Sequence, residues 1–240
     1  NNLMGQWLFP MCNAGFKTTL RWLSDFKIQG QENIPESGPL LVASNHLSNL
    51  DPAIVASALP EPPVFLAKKE LFKYPVMSSF MRGYGAYPVD RRGADVKAVN
   101  WITGQLREQH RMAIVFPEGT RNRTGGLLKG QAGVAHIAIS TGVPIIPFAL
   151  TGSENLQNPI KVFKPTATLR LKIGKPFVAI GKESTSPRRR AVQVTTEIMV
   201  RIARMLPEDQ RGEYSEKCDI DFAETAEYEW SRILDSEVHA

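Results

Sequence analysis

The sequence predicts an α/β domain in which helices flank a largely parallel β-sheet, with an amphipathic helical segment in front of it. Short apolar runs bounded by turn residues alternate with segments of helical periodicity from residue 30 onward, and this alternation is typical of parallel strand–helix–strand units. The predicted strands cover residues 40–43, 64–67, 86–89, 112–116, 144–150 and 167–173. The predicted helices cover residues 52–58, 71–82, 95–109, 131–140 and 187–206. Ligands of such sheets bind beyond the carboxyl ends of the strands, so functional residues are expected in the turns after them.

Composition divides the 240-residue chain into three regions, which fits one domain with two appendages. We expect an amphipathic segment at residues 1–29, an α/β domain at residues 30–206 and an acidic tail at residues 207–240. The tail holds 11 acidic and 3 basic residues, whereas the rest of the chain holds 26 basic and 13 acidic residues. A basic body favours an anionic partner: a nucleic acid, a phosphorylated substrate or an anionic membrane. Ordinary solvated surface charge is the alternative.

The amphipathic segment combines large apolar side chains with cations. Its two tryptophans, Trp7 and Trp22, lie among basic residues, and Pro10 is expected to break it into two pieces. Its apolar stripe at helical spacing is Phe16, Leu20, Leu23 and Phe26. Such a segment suits a helix lying in a membrane interface, and its aromatic content favours this interpretation over the alternative, a helix packed on its own domain.

Two further features bear on the cellular setting. Cys12 and Cys218 lie far apart without a metal-binding or redox spacing, which predicts reduced thiols in an intracellular protein. No run of about 20 apolar residues occurs, so no membrane-spanning helix is expected. The acidic tail has four candidate anchor residues, Phe222, Tyr228, Trp230 and Ile233.

The turn after the first predicted strand carries His46 and Asp51, five positions apart. Histidine exchanges a proton near pH 7, and a carboxylate can hold an imidazole in one tautomer and stabilise its cation. A tight turn can bring positions five apart within hydrogen-bond reach. The turn therefore predicts a general base with an orienting carboxylate. The alternative is that Asp51 caps a helix starting at Pro52, beside a surface histidine.

Three other turns at predicted strand ends carry cations. They are Lys68-Lys69-Glu70-Leu71, Asp90-Arg91-Arg92-Gly93 and Pro117-Glu118-Gly119-Thr120-Arg121-Asn122-Arg123. Cations converging at one sheet edge suit a phosphate, which Arg binds bidentately and Lys as a point charge. Gly119 would let the backbone approach a ligand, and Glu118 would orient Arg121 or accept a hydrogen bond from a hydroxyl. Taken singly, each turn is also explained by solvated loop charges.

Four segments, in this order, resemble blocks of the glycerolipid acyltransferases, specifically the 1-acylglycerol-3-phosphate (lysophosphatidate) acyltransferases. The segments are Asn45-His46-Leu47-Ser48-Asn49-Leu50-Asp51, Gly85-Ala86-Tyr87-Pro88-Val89-Asp90-Arg91, Phe116-Pro117-Glu118-Gly119-Thr120-Arg121 and Val143-Pro144-Ile145-Ile146-Pro147. The resemblance covers about residues 30–180, and the first and third segments together make it specific. Tyr87 and Pro88 stand where the family commonly has aliphatic residues or Phe, which bears on acceptor and chain-length preference.

The resemblance implies an enzyme that moves a fatty acyl group from acyl-CoA or acyl carrier protein to the sn-2 hydroxyl of 1-acyl-glycerol 3-phosphate, giving phosphatidate. It implies that His46 is the base and that Asp51 supports it. The implied substrate-binding residues are Lys68, Arg91, Glu118, Gly119, Thr120 and Arg121. The implied reaction requires no metal and no cofactor other than the thioester substrate. His110 and His136 are expected to be structural or surface residues.

The resemblance also implies partners and a location. The expected partners are lysophosphatidate, an acyl thioester and an anionic membrane surface, at the cytoplasmic face of the cell membrane as a peripheral or monotopic protein. Nucleic acid is not expected, because it would leave the strand-end cluster and the Trp-rich start unexplained. The alternatives are a different acceptor (glycerol 3-phosphate, another lysophospholipid or a glycolipid) and a non-catalytic membrane lipid-binding protein. A hydrolase is disfavoured because the sequence has no Gly-x-Ser-x-Gly motif.

Overall fold

The computed structural model describes residues 3–90, 93, 95–122, 125–158, 161, 163–164, 166–180 and 186–230, with side chains from Phe9 onward. The helices α1 to α6 are Leu3–Leu23, Asp51–Ala58, Pro75–Gly83, Val96–Arg107, Gly133–Thr141 and Pro187–Met205. The strands β1 to β9 are Asp25–Gln29, Leu40–Ser44, Val64–Lys68, Ala86–Val89, Met112–Val115, Ile145–Thr151, Thr168–Ile173, Phe177–Ala179 and Thr225–Glu227. Short 3₁₀ helices cover Gln31–Asn33, Lys69–Lys73, Glu208–Gln210 and Gly212–Lys217.

All of these strands belong to one sheet, whose main path runs β1-β7-β6-β2-β5-β3-β4. Neighbouring strands along this path are parallel except for β6 and β7. The short strands β8 and β9 extend the sheet from β6 in antiparallel pairs. The predicted fold class, a largely parallel sheet flanked by helices, is therefore confirmed.

The strand β2 lies at the centre of the sheet, between β5 and β6. All five of its residues are buried, and successive side chains point to opposite faces. Leu40 and Val42 join the core cluster on one face, whereas Leu41 and Ala43 join the cluster on the other. A continuous apolar run is what a strand covered on both faces requires, and it places the turn after β2 in the middle of the sheet edge.

The helices form two layers. On one face, α1 packs against α2 and α3, and apolar residues of α1 and α2 join the core that includes Phe65 and Tyr84. On the other face, α4, α5 and α6 pack in sequence over the second core. The carboxyl ends of the central parallel strands therefore open between two different helical layers.

The N-terminal segment differs from its prediction in two respects. The helix α1 is continuous and has Pro10 inside it, so the expected break at Pro10 is wrong. Residues 25–29 form β1, a parallel neighbour of β7, and not the end of the helical stripe. The reason is that Phe26 and Ile28 alternate with exposed Asp25, Lys27 and Gln29, which is the period of a half-buried strand.

The acidic tail, as far as residue 230, is ordered and packs on the domain. The buried carboxylate of Glu197 on α6 accepts hydrogen bonds from the backbone N–H of Ala223 at 2.9 Å and of Glu224 at 3.0 Å. The guanidinium of Arg201 lies 3.8 Å from the centre of the Phe222 ring, and Trp230 Nε1 donates to the carbonyl of Asn33 at 3.1 Å. The fourth candidate anchor, Ile233, lies outside the described residues.

The strands β8 and β9 were not among the predicted elements. Each has three residues, which is too short for a periodic pattern to show. Within the described residues, no helix combines the length and the hydrophobicity that crossing a bilayer requires.

Candidate active site

The turns after β2 and β5 meet at one edge of the sheet because these strands are parallel neighbours. The backbone N–H of His46 donates to Glu118 Oε1 at 2.9 Å. The backbone N–H of Asn122 donates to the carbonyl of His46 at 2.7 Å. The structure therefore brings together two segments 72 residues apart in sequence.

The side chains of His46 and Asp51 form the predicted pair, with Nδ1 2.8 Å from Oδ2. Asp51 has no exposed surface, and its Oδ2 also accepts the backbone N–H groups of Leu47 at 2.5 Å and Ser48 at 2.6 Å. Its other oxygen, Oδ1, accepts the hydroxyl of Ser153 at 2.6 Å. A buried carboxylate needs such donors to remain charged, and here they converge on both oxygens.

The alternative role of Asp51, capping the helix that starts at Pro52, is wrong. The helix α2 begins at Asp51 itself, and its N-cap residue is Leu50, whose side chain makes no capping hydrogen bond. The carboxylate turns away from the first turn of α2 toward His46 and Ser153. Asp51 is therefore committed to the histidine and not to the helix.

The imidazole of His46 is held by Asp51 and Phe116 and opens on a cleft. It stacks on the Phe116 ring, with ring centres 4.2 Å apart, and only 5% of the residue is exposed. Because an ionised carboxylate only accepts hydrogen bonds, its contact with Asp51 assigns the proton to Nδ1. Nε2 is then the free basic nitrogen of a residue that lines the cleft.

A loop after β6, residues 152–157, was not predicted. It contacts the Asn45–Asp51 turn, which we call the candidate catalytic turn. Besides Ser153, it supplies Gln157. The side-chain Nε2 of Gln157 donates to the carbonyl of Leu47 at 2.6 Å, and its backbone carbonyl accepts from Asn49 Nδ2 at 2.5 Å. Gly152 starts the loop with φ +87°, and a Cβ there would lie 1.8 Å from the carbonyl oxygen of Thr168. The sequence offers only a Gly152-Ser153 pair after β6, which fits an ordinary loop equally well.

Glu118 is buried and joins two backbone segments, rather than facing a ligand. Its Oε1 accepts from His46 and its Oε2 from the backbone N–H of Leu128, both at 2.9 Å. Burial raises the pKa of Glu118 to about 7, and the two backbone N–H groups oppose this shift. Sequence reasoning expected Glu118 to orient Arg121 or to bind a hydroxyl. The structure instead has Arg121 donating to Gln157 Oε1 at 3.2 Å.

One of the predicted phosphate-binding cations, Lys68, lies on the same sheet edge as the turn after β2, because β3, β5 and β2 are parallel. The side chain of Lys68, at the end of β3, is 57% exposed, and its Nζ is 3.9 Å from Glu70. Its neighbour Lys69 is tied to Asp90 by a close ion pair, so Lys68 is the more available cation. Arg91 lies outside the described residues.

A cleft of about 1130 Å³ opens beside His46. The residues that line it include Glu118, Gly119 and Thr120 of the turn after β5. Gly119 has φ +68°, the left-handed conformation that favours glycine. The cleft then continues between α4 and α5. Five of the predicted site residues therefore surround or support one cavity: His46, Asp51, Glu118, Gly119 and Thr120.

Comparison with known proteins agrees with this geometry. Residues 25–151, more than half of the chain, match the family model described as Acyltransferase. The chain belongs to the acyltransferase family. Both catalytic-pair residues and the Glu118–Arg121 turn lie within the matched residues.

Similar proteins carry a consistent name. The chain is 34% identical over 155 residues to a 1-acyl-sn-glycerol-3-phosphate acyltransferase of Borreliella burgdorferi, covering 61% of this chain and 60% of that protein. It is 29% identical over 190 residues to one of Saccharomyces cerevisiae, covering 72% and 62%. The chain thus spans about three fifths of the length of these two curated relatives.

A solved structure of the family has the same fold. The crystal structure of the 1-acyl-sn-glycerophosphate (LPA) acyltransferase PlsC from Thermotoga maritima superposes with a TM-score of 0.61 at 26% sequence identity. The match covers 81% of this chain and 78% of that one. The family resemblance expected from the four sequence segments is confirmed.

Two supports of this acyltransferase site lie beyond the residues that the family model matches. One is the 152–157 loop. The other is the start of the acidic tail, where Tyr214 Oη accepts from the backbone N–H of Gly130 at 2.9 Å and Leu127 exchanges backbone hydrogen bonds with Gln210 and Glu213. The segment fixed in this way supplies the Leu128 N–H that holds Glu118. Hydrogen bonds therefore connect the tail to the backbone of His46.

Replacing Ser153 tests its bond to the buried carboxylate. We expect Ser153→Ala to lower the free energy of unfolding by about 1.5–3 kcal/mol, because hydrogen bonds to charged groups are the strong ones. Ser57→Ala is the matched control, since the buried Ser57 hydroxyl donates only to the carbonyl of Ile54 in its own helix, and it should cost about 0.5–1.5 kcal/mol. Urea denaturation of both variants measures the difference. Equal losses would mean that Asp51 does not depend on Ser153.

The pKa of Glu118 gives stability a specific pH dependence. A carboxyl group whose pKa is about 7 in the folded protein binds more protons there than in the unfolded chain between about pH 4.5 and 7. Its contribution to stability is therefore lost as the pH rises through this window. Relative to Glu118→Gln, wild-type protein should lose roughly 2–3 kcal/mol of unfolding free energy between pH 5 and 8. A difference that stays constant over urea titrations in this range would refute the raised pKa.

Proposed function

We propose that this domain transfers a fatty acyl group from a thioester to the sn-2 hydroxyl of 1-acyl-glycerol 3-phosphate, giving phosphatidate. The observation that carries the proposal is the His46–Asp51 pair, buried at the mouth of a cleft in a chain of the acyltransferase family. The relatives are named 1-acyl-sn-glycerol-3-phosphate acyltransferases, which supports this acceptor. The thioester donor is part of the proposal, with acyl-CoA and acyl carrier protein as its two sources.

The geometry of the pair suits general-base catalysis. His46 Nε2 removes the proton from the acceptor hydroxyl as its oxygen attacks the thioester carbon. Asp51 stabilises the imidazolium that forms. The new ester C–O bond forms as the C–S bond breaks, and the imidazolium returns its proton to the departing thiolate. General-base catalysis contributes about 10²–10⁴-fold, and an already activated thioester needs no covalent enzyme intermediate.

Two cations are candidates for binding the acceptor phosphate. We assign it to Lys68 and Arg121, because a guanidinium and an ammonium suit phosphate oxygens. Gln157 connects Arg121 to the candidate catalytic turn, since it contacts both Arg121 and the carbonyl of Leu47. The cation that would hold the phosphate is thereby fixed relative to His46. Gly119 and Thr120 would shape the pocket between them.

A second surface suits the residence of the acceptor in a bilayer. Trp22 of α1 is 77% exposed, and Tyr74 and Val76 at the start of α3 are 71% and 85% exposed. The two helices pack against each other, so these side chains lie in one layer. The apolar side chains of this surface that are exposed are Met11, Trp22, Leu23, Leu71, Tyr74, Val76, Met77 and Phe80.

Exposed cations accompany this α1–α3 surface. Lys17 and Arg21 lie on α1, and Lys73 lies just before α3. Apolar side chains flanked by cations are typical of proteins that sit in the interface of an anionic bilayer. We therefore propose that α1 and α3 together dock the domain on the cytoplasmic face of the cell membrane, as a peripheral protein.

The catalytic assignment is tested with an acceptor panel and a base variant. Purified protein should acylate 1-acyl-glycerol 3-phosphate in preference to glycerol 3-phosphate and other lysophospholipids. His46→Ala should reduce the rate by about 10²–10⁴-fold at unchanged melting temperature. His110→Asn is the control, because His110 is exposed, lies in the turn between α4 and β5, and has φ +49°, which asparagine tolerates. Preferred turnover of another acceptor would contradict the proposed substrate. An active His46→Ala variant would contradict the assignment of His46 as the base.

The docking surface is tested by sedimentation with vesicles that contain anionic lipid. We expect the vesicles to sediment several-fold less of the double variant Trp22→Asp, Val76→Asp than of wild-type protein, because the variant places two charges in an apolar contact. Val192→Asp is the control: Val192 is 57% exposed on α6, in the opposite layer. Equal sedimentation of both variants would contradict docking through α1 and α3. The other occupant of such a surface would be a second copy of this chain. Size-exclusion chromatography detects the dimer that this copy would form.

A further inference from the structure

The cleft beside His46 extends well beyond the turn that carries His46 and Asp51. It continues between α4 and α5, where Asn100 and Thr103 line it from one helix and His136 and Ser140 from the other. A second cavity of about 430 Å³ is also lined by Asn100 and Thr103 and ends at Arg107 and Glu108. The two cavities therefore adjoin, and together they form a slot from the catalytic histidine to the end of α4, which we call the α4–α5 slot.

The lining of the slot combines apolar and polar side chains. Leu66 on β3 and Val99 on α4 are apolar. Asn100 and Thr103 on α4, and His136 and Ser140 on α5, are polar, so both helical walls carry polar groups. On α4 the polar residues are three positions apart, and on α5 four, so each pair lies on one side of its helix. Along α5, the wall from Gly133 to Ser140 is about 10 Å long at 1.5 Å per residue.

The polar groups of the slot are available to a ligand. The side chains of Asn100, Thr103 and His136 make no hydrogen bond to any residue that the structure describes, whereas Ser140 donates to the carbonyl of Ile137 at 3.2 Å. Asn100 and His136 are exposed and Thr103 is half-buried. A hydrocarbon chain laid across them would take them out of water without giving them partners, which is unfavourable.

A ligand with amide groups would satisfy the same side chains. Each amide offers one donor and one acceptor, which match the mixed hydrogen-bonding capacity of Asn, Thr and neutral His. A thioester donor has two parts on either side of its reacting carbon, the hydrocarbon tail and the carrier arm. The phosphopantetheine arm, which coenzyme A and acyl carrier protein share, is the part that contains amides. The polar side chains of the slot therefore suit the carrier arm and not the hydrocarbon tail.

The two helical layers agree with this division. The exposed apolar side chains of α1 and α3 lie on the opposite face of the sheet from α4 and α5. Hydrocarbon chains have an apolar surface to follow on that face, whereas the slot opens beside Arg107 and Glu108 on the other. A soluble carrier would lie at this second opening.

We propose that the α4–α5 slot binds the pantetheine arm of the acyl donor, with Asn100, Thr103 and His136 as partners for its amide groups. The inference rests on the proposed acyl transfer from a thioester to a lipid hydroxyl. It specifies which end of the donor occupies which part of the cleft, and it places the carrier on the α4–α6 face.

The test is to fill the slot from each wall. Thr103→Trp and Ser140→Trp should raise KM for a long-chain and for a short-chain acyl-CoA about tenfold or more and to the same extent. KM for the lysophosphatidate acceptor should not change. An S-acyl-N-acetylcysteamine, which lacks most of the arm, should be used equally well by variants and wild type. Thr196→Trp, at a half-buried position of α6 in the same layer, is the matched control. Melting temperatures confirm that each variant is folded.

Other outcomes would overturn the proposal in identifiable ways. A loss confined to the long-chain donor would place the hydrocarbon tail in the slot. A loss for acyl-CoA without a loss for acyl carrier protein would place the nucleotide there rather than the shared arm. Unchanged kinetics in both tryptophan variants would leave the slot without a role in donor binding.

A binding measurement separates this inference from the proposed reaction. Calorimetry with coenzyme A alone requires no turnover. Binding to wild type that weakens about tenfold in both Thr103→Trp and Ser140→Trp supports the slot even if no acceptor is acylated. Equal binding to wild type and to these variants, together with unchanged kinetics, refutes the slot while leaving acyl transfer by His46 intact.

Discussion

The burial of the Asp51 carboxylate is the constraint on which the site depends. A charge without exposed surface is stable only when donors satisfy its oxygens, and Asp51 receives them from the turn and from Ser153. The turn from Asn45 to Asp51 must therefore fold tightly around its own aspartate. This requirement sets the direction of the imidazole, because Nδ1 of His46 is one more partner of the same carboxylate. The hydrogen bonds that satisfy the Asp51 carboxylate therefore also set the position of the His46 imidazole.

Support for this turn comes from parts of the chain that are distant in sequence. The 152–157 loop satisfies Oδ1 of Asp51 and the carbonyl of Leu47. Glu118 holds the backbone N–H of His46, and Glu118 is in turn held by a segment that the acidic tail anchors through Tyr214. Each support is a hydrogen bond to a buried group, so loss of one partner leaves a desolvated polar atom. The tail is therefore part of the structure that supports the candidate site.

The sequence predicted the main strands within one or two residues, because apolar runs ending in polar turns are visible locally. It also predicted the His46–Asp51 pair, since both residues lie in one turn. It could not predict Ser153, whose partner is 102 residues away, because nothing local distinguishes that hydroxyl from a loop serine. The role of Glu118 was misjudged for a related reason: a charged residue in a turn, here between Pro117 and Gly119, is usually exposed, and only the tertiary structure shows its burial. The β1 strand was missed because Phe26 also fitted a helical stripe.

For the proposed reaction, the position of His46 between two helical layers would let one site serve two substrates of different solubility. The parallel strands β2 and β5 end where the α1–α3 layer and the α4–α6 layer diverge. A lipid acceptor confined to a bilayer needs an approach along apolar surface, and a thioester on a soluble carrier needs one that is open to water. A single sheet edge offers both because its two faces are covered by helices of different outer composition. His46, at the central strand, is the point at which the two approaches meet.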